Sequence, residues 1–134
     1  MLDSSVVIAA ERKGESVAAF LRRIQGLTGD QRVVLSAVGL TELIHALYRT
    51  SDPLIRRNRK WFLDDPMAAA EAVPYTKSTA LLAGRIDGEQ RSLGITIPSI
   101  DLLIGATALE IGYTLVTANP RHFHMIPGLQ VVSL

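Results

Sequence analysis

Residues 97–119 read IPSIDLLIGATALEIGYTLVTAN, and the fold class turns on how that stretch divides. Pro98-Ser99 is a helix start, Ile100 to Ile111 carries the helix, and Gly112 stops it. Thr114-Leu115-Val116-Thr117 then reads as a buried strand. A helix feeding directly into a buried strand is half of a crossover unit, and the same alternation recurs in both directions. Towards the N-terminus, a helix starting at Thr76 or Lys77 runs through Leu81, Leu82, Ile86 and Gln90 to Gly94, behind an edge-like strand Ala72-Val73-Pro74-Tyr75 in which Pro74 argues against a central place. Pro53 opens a helix through Trp61 and Phe62 towards Asp65, and another spans about Val38 to Arg49 with Leu40, Leu43, Ile44 and Leu47 on one face. Before it lie a strand at Arg32 to Ser36 and a helix at Glu15 to Gln25, with Val17, Phe20, Leu21 and Ile24 at helical spacing before Gly26 and Gly29. Leu129-Gln130-Val131-Val132 closes the chain as a last strand. Strands separated by helices imply right-handed crossovers and an α/β fold, a mostly parallel central sheet flanked by helices in a single domain over residues 1–134.

The composition sets outer limits. The 134 residues (14.5 kDa) are 48% apolar and 20% charged with a mean hydropathy of +0.24, enough for a sizeable core and against disorder. There is no cysteine, which excludes disulfides, thiolate metal sites and cysteine nucleophiles and makes a reducing compartment, the cytoplasm, the expected location. The longest apolar stretch, Leu102 to Val116, is broken by Glu110 and too short to span a bilayer, and Asp3 stands where a signal peptide would carry positive charge. A formal net charge of +1 announces no polyanionic partner. The distribution says more: Arg49, Arg56, Arg57, Arg59 and Lys60 fall within a stretch whose only acid is Asp52. Arg56, Arg57, Arg59 and Lys60 are therefore candidates for phosphate or carboxylate contacts, with a solvated helix face as the plainer reading.

Three carboxylates sit in apolar company: Asp3 before Ser4-Ser5-Val6-Val7-Ile8, Glu42 between Leu40 and Leu43-Ile44, and Asp101 between Ile100 and Leu102-Leu103-Ile104. Burying an ionised carboxylate is costly unless something pairs with it. In a parallel α/β sheet the site lies at the carboxyl ends of the strands, an edge that all three acids and Asn119 can reach. Singly, each acid has a plain reading: Asp3 as a helix cap, Asp101 as a first-turn charge complementing the helix dipole, Glu42 as part of a capping box with Gly39 or facing solvent. Together the apolar neighbours favour convergence into an oxygen-rich pocket suited to Mg²⁺ or Mn²⁺.

Leu2-Asp3-Ser4-Ser5-Val6-Val7-Ile8, Thr41-Glu42-Leu43, Ile97-Pro98-Ser99-Ile100-Asp101 through Leu109, and Leu115-Val116-Thr117-Ala118-Asn119 through His122-Phe123 to Ile126-Pro127-Gly128-Leu129, in that order and spacing, resemble the VapC-type toxins of the PIN-domain family. The resemblance implies a PIN-like parallel sheet and a Mg²⁺- or Mn²⁺-dependent endoribonuclease, cytoplasmic and neutralised by a cognate VapB-like antitoxin. It places Asp3, Glu42 and Asp101 at three of the family's acidic metal positions, and Asn119 where a fourth acid is common. Water is then the nucleophile and the products carry 5′-phosphate and 3′-hydroxyl ends. Asp3 and Asp101 are expected as direct ligands, Glu42 as a ligand directly or through water, and Asn119 as a group orienting water or touching phosphate. Ser4, Ser5 and Thr117 are expected to fix the carboxylates by hydrogen bonds. Only Met1 and Leu2 precede Asp3, which predicts a short first strand. Relatives that pair, together with Trp61, Phe62 and Leu63 beside the basic stretch, point to a homodimer.

His45, His122 and His124 are too scattered for a zinc motif; His45 reads as packing or a substrate contact, and His122 as an anchor for the loop after Asn119. Two other readings compete. A phospho-receiver-like domain needs an acceptor Asp at a central strand end, and residues 32–39 contain no acid. A non-catalytic nucleic-acid or antitoxin-binding module would use the Arg49–Lys60 face.

Overall fold

The computed structural model describes residues 1–29, 32–64 and 70–134; the side chains of Val17, Trp61, Phe62 and Leu63 lie outside the description. Among the described residues four short strands and seven helices follow one another as α1 (Ser4–Arg12), α2 (Val17–Thr28), β1 (Val34–Ser36), α3 (Ala37–Arg49), α4 (Pro53–Asp64), β2 (Glu71–Val73), α5 (Lys77–Ser92), α6 (Ser99–Glu110), β3 (Leu115–Thr117), α7 (Pro120–Phe123) and β4 (Val131–Ser133). β1 pairs in parallel with β2, and β3 in parallel with β4. The two pairs are joined through Leu2, which bridges Leu35 on one side and Val116 on the other, both in parallel. The spatial order is therefore β2, β1, Leu2, β3, β4, with every strand running the same way.

The strands are short, but their period-2 alternation divides the core cleanly. Met1, Val34 and Leu115 face a cluster with Ala83 and Ile86 of α5, Leu102, Ile104, Ala106 and Ala108 of α6, and Phe123 of α7. Leu2, Leu35 and Val116 face the other way, onto Val6, Val7 and Ala10 of α1, Phe20 and Ile24 of α2, and Leu43 of α3. Both faces of the sheet are covered, as a parallel sheet requires. Among the described residues no helix is long and apolar enough to cross a membrane.

The element bounds differ from the sequence reading for local reasons. The first strand is a single bridging residue, because Asp3 takes the position before α1 and the helix begins at once. α2 starts at Val17 rather than Glu15, since the Ser16 side chain accepts from Ala19 N–H and caps the helix there, and it passes through Gly26 to end at Gly29. Ser36, the last residue of β1, caps α3 by accepting from Gly39 N–H at 2.8 Å, so Glu42 takes no part in a capping box. The sequence reading gives a loop after Asn119, where the structure has the short helix α7, with Pro120 at its first position as an ordinary start signal.

Packing is closest where α6 meets the C-terminal segment. Gly105 is buried, and a Cβ there would collide with Ile126 Cδ1 and stand 3.2 Å from Leu129 Cδ2. Both neighbours belong to the segment that carries β4 back to the sheet. Gly105→Ala is accordingly expected to destabilise the protein by about 1–3 kcal/mol through overpacking, read by urea unfolding; wild-type stability would show that the segment yields without cost.

Candidate metal and nuclease site

In a parallel sheet all carboxyl ends point to one edge, and here that edge is where Leu2 runs into Asp3, β1 ends at Ser36 and β3 ends at Thr117. Asp3 occupies the N-cap position of α1 but makes no capping hydrogen bond. Its carboxylate is used otherwise. Oδ2 accepts from Ser5 Oγ and from Thr117 Oγ1, the latter at 2.7 Å. Each of those hydroxyls in turn accepts from the chain leaving β3: Ser5 Oγ from Ala118 N–H at 3.0 Å, Thr117 Oγ1 from Asn119 N–H at 3.0 Å. A backbone N–H can only donate, so both hydroxyl protons are left to point at Asp3, and the chain of bonds reinforces itself. Oδ1 is left with only a 3.5 Å contact from Ser4 Oγ. The carboxylate is thus clamped by one oxygen and presents the other.

Ser4 links the next acid, donating to Glu42 Oε2 at 2.7 Å. Glu42 is half-buried on the second turn of α3. Burial pushes its carboxyl above the ordinary range; the Ser4 hydrogen bond opposes this, Asp3 and then Asp101 push further in the same direction, and His45 opposes weakly. Asp3, Glu42 and Asp101 therefore share one electrostatic neighbourhood. Asp101, in the first turn of α6, is fixed from a different element: its Oδ2 lies 2.7 Å from His122 Nδ1. His122 rides on α7, so the four-residue helix does more than end a loop; it holds the third carboxylate. Asn119 is exposed at the start of α7, and its side chain makes no cap bond.

The structure thus brings Asp3, Glu42 and Asp101 to one edge with Ser4, Ser5 and Thr117 as hydrogen-bond partners of the first two. Among the described residues no three His, Asp or Glu side chains are drawn close enough to enclose an ion. The donors nonetheless fit a hard divalent cation in kind: all are oxygens, one Asp3 oxygen is uncommitted, and a half-buried carboxylate sits in the field of two others, a strain that a cation relieves. β1 ends at Ser36, a capping residue, which leaves no acceptor Asp for a phospho-receiver.

The basic residues divide. Arg56, Arg57 and Lys60 are exposed; Arg56 Nη2 donates to the Thr50 carbonyl at 2.7 Å and Lys60 pairs with Asp64 at 3.2 Å. Arg59 departs from a solvated face: it turns inward to Glu11 at 2.8 Å and to the Ala46 carbonyl at 2.8 Å, with 17% and 12% of the two ion-pair side chains exposed. It ties α4 to α1 and α3. Trp61, Phe62 and Leu63, on which the homodimer expectation rests, lie outside the described side chains. One residue gains importance that its sequence context gave no reason to single out: Arg12, at the end of α1, which lines the same hollow as Glu42, while His45, read as packing or a substrate contact, is exposed and lines that hollow too. The packing of α1 on α3 brings Arg12 to that hollow, whereas His45 stands one turn from Glu42 on α3 itself.

With the edge, its three acids and the β3 exit in place, comparison with known proteins becomes decisive. The PIN domain family profile matches residues 1–128. The chain belongs to the PIN domain family. Ribonuclease VapC of Rickettsia bellii is 28% identical over 134 residues, covering all of this chain and 95% of that protein. The tRNA(fMet)-specific endonuclease VapC of Salmonella typhimurium is 28% identical over 100 residues, covering 75% of this chain and 74% of its own. Among solved structures, VapBC2 of Rickettsia felis, bound to a DNA fragment from its promoter, superposes with a TM-score of 0.85 at 22% identity, over 100% of this chain and 97% of that one. The fold read from alternating elements is thus that of this PIN domain, and the VapC resemblance of its motifs extends along the chain.

The raised Glu42 carboxyl gives a signed expectation. A carboxyl whose folded pKa lies above its unfolded value weakens the fold at pH values above both, and that penalty vanishes as pH falls and both states protonate. In EDTA at neutral pH, Glu42→Gln should therefore melt above wild type, with the difference closing on acidification below the ordinary carboxylate range. Thermal melts from pH 8 to about pH 3, a window that runs below the about 4.3 of a free glutamate, check it; a variant less stable than wild type throughout would show that the Ser4 hydrogen bond outweighs burial and repulsion.

Proposed function

We propose that this PIN domain is an endoribonuclease of the VapC type that needs Mg²⁺ or Mn²⁺, and that it is the toxin member of a pair neutralised by a VapB-like antitoxin in the cytoplasm. The reading rests on the clamped Asp3 carboxylate with Glu42 and Asp101 in its field, and draws support from relatives named as ribonucleases. Asp3, through Oδ1, and Asp101 would hold the ion, with Glu42 holding it directly or through water. A bound divalent ion lowers the pKa of water and neutralises charge developing on phosphate.

The chain's own groups do the rest. Ser5 and Thr117 fix the Asp3 plane, Ser4 holds Glu42 beside it, and His122 fixes Asp101, so that the carboxylates keep their places when phosphate arrives. Glu42, held beside Asp3 by Ser4, is placed to accept the proton of the attacking water. Water attacks phosphorus, the bond to the 3′-oxygen breaks and that oxygen takes a proton, leaving 5′-phosphate and 3′-hydroxyl ends. Asn119, exposed and uncommitted, would steady a water or a phosphate oxygen. Arg57, free on α4, remains available to an acidic partner or RNA.

Purified protein incubated with tRNA, rRNA and mRNA should cut at least one of them with Mg²⁺ or Mn²⁺ and none in EDTA. Asp101→Asn should lower that activity by at least about 100-fold, since even outer partners of metal ligands are worth 10–100-fold, and should weaken Mn²⁺ binding by calorimetry. Asn119→Asp should tighten Mn²⁺ binding by adding an anionic ligand. Equal Mn²⁺ affinity in wild type and Asp101→Asn would remove the site. No change in Asn119→Asp alone would place Asn119 outside it.

A further inference from the structure

The acidic edge is flanked by two open cavities that share helix α1. One, of about 450 Å³, is lined by Ser4, Glu42, His45, Arg49 and Arg59. The other, of about 510 Å³, is lined by Ser5, Lys13, Ala118 and Asn119. Ile8 and Arg12 line both. Four residues apart on a helix, they stand on one face, and form the ridge between the two hollows. Glu42, with Ser4 and Ser5 next to Asp3, marks the acidic end of these hollows, and Arg12, Lys13 and Arg49 mark the basic end.

The arginines of the first cavity are not equivalent. Arg59 is committed to Glu11 and to the Ala46 carbonyl. Arg12 and Arg49 are exposed and make no ion pair or side-chain hydrogen bond with any described residue. Each sits in the last turn of its helix, where it complements the dipole, a use that leaves the guanidinium donors free. Two free guanidiniums in a hollow whose other end is a carboxylate site form a place where a polyanion is held at one point and repelled at the next.

We propose that an RNA strand crosses α1 at Arg12, its backbone phosphates flanking the scissile one held by Arg12 and Arg49 on the Glu42 side and by Lys13 on the Asn119 side. The inference rests on the ribonuclease reading above. A guanidinium fork meets phosphate oxygens two at a time and reads no base, so these contacts set the position of the strand and not its sequence. Ile8, between the hollows, gives the strand an apolar surface to lie against.

The test uses short fluorescein-labelled oligo(A) and oligo(U) RNAs bound to the intact protein in EDTA, where no turnover is expected, over a series of KCl concentrations. Arg12→Gln and Arg49→Gln should each weaken binding about fivefold on both RNAs and flatten the slope of log affinity against log salt by about 0.7, the value of one single-strand phosphate contact. Lys13→Gln should do the same more weakly, while Arg85→Gln, on α5 and outside both hollows, should change neither. Melting temperatures should fall only slightly, since Arg12 and Arg49 are exposed and give up only their favourable place at a helix end. If wild type binds and cuts RNA but both arginine variants keep its affinity and salt slope, the strand path is wrong and the ribonuclease reading stands. An effect confined to one of the two RNAs would mean base reading and would also overturn it. Wild type that neither binds nor cuts RNA overturns both.

Discussion

The sheet depends on one residue. Leu2 N–H donates to the Val34 carbonyl at 2.9 Å, Asp3 N–H to the Val116 carbonyl at 2.9 Å, and Val116 N–H to the Met1 carbonyl at 2.9 Å. These bonds join the β1–β2 pair to the β3–β4 pair through the N-terminal segment, and Leu2 is 1% exposed in the core beside α1. Because α1 begins immediately afterwards, Asp3 has no freedom to be anywhere but at the carboxyl edge between β1 and β3. The constraint that closes the sheet is therefore also the one that places the first acid of the site.

From that placement the other parts follow in sequence. Thr117 reaches Asp3 because β3 is the strand hydrogen-bonded beside it, and Ser5 reaches both because it lies one helical step into α1. Glu42 is brought in through Ser4 by the packing of α1 on α3, whereas Asp101 arrives on α6 from the other layer and is fixed there by His122. Carboxylates drawn from both layers meet only where the sheet ends, which is why the edge, and not either helical face, carries the charge. Among the described residues no buried side-chain polar atom lacks a partner, so the acids keep hydrogen-bond partners, hydroxyls for Asp3 and Glu42 and His122 for Asp101, while the charge repulsion at Glu42 remains.

The three acids were legible in the sequence because burial makes an acid conspicuous: Asp3, Glu42 and Asp101 each interrupt an apolar run, and nothing in a core tolerates that without cause. The alternation of helix and strand was legible for a related reason, since Val34-Leu35 and Leu115-Val116 are apolar on both faces, as a doubly covered sheet demands. What lay beyond reach was direction and phase. That Ser5 and Thr117 aim their protons at Asp3 depends on N–H groups of residues 118 and 119, more than a hundred positions from Ser5 along the chain. Arg59 reads as one more cation in a basic stretch, and only the phase of α4 against α1 turns it alone towards Glu11. Arg12, in a polar stretch, had no sequence context to distinguish it from Arg22 or Arg23.

The separation of charge along α1 bears on how a nuclease of this size would keep a polyanion in place. Acids at the N-terminal end of the helix repel phosphate, and their repulsion is least screened where they are most buried, at Asp3 and Glu42. Free guanidiniums at Arg12 and Arg49 attract it, but from an exposed surface where salt weakens the attraction. Without a cation the two ends of the helix would therefore oppose each other, and on the proposed path phosphate would rest towards the arginine end. Neutralising the acid end removes the opposition without altering the arginines. A divalent ion in such a geometry would govern where the strand lies as well as how its phosphate is attacked, so affinity for the strand and competence to cut it would share a single determinant.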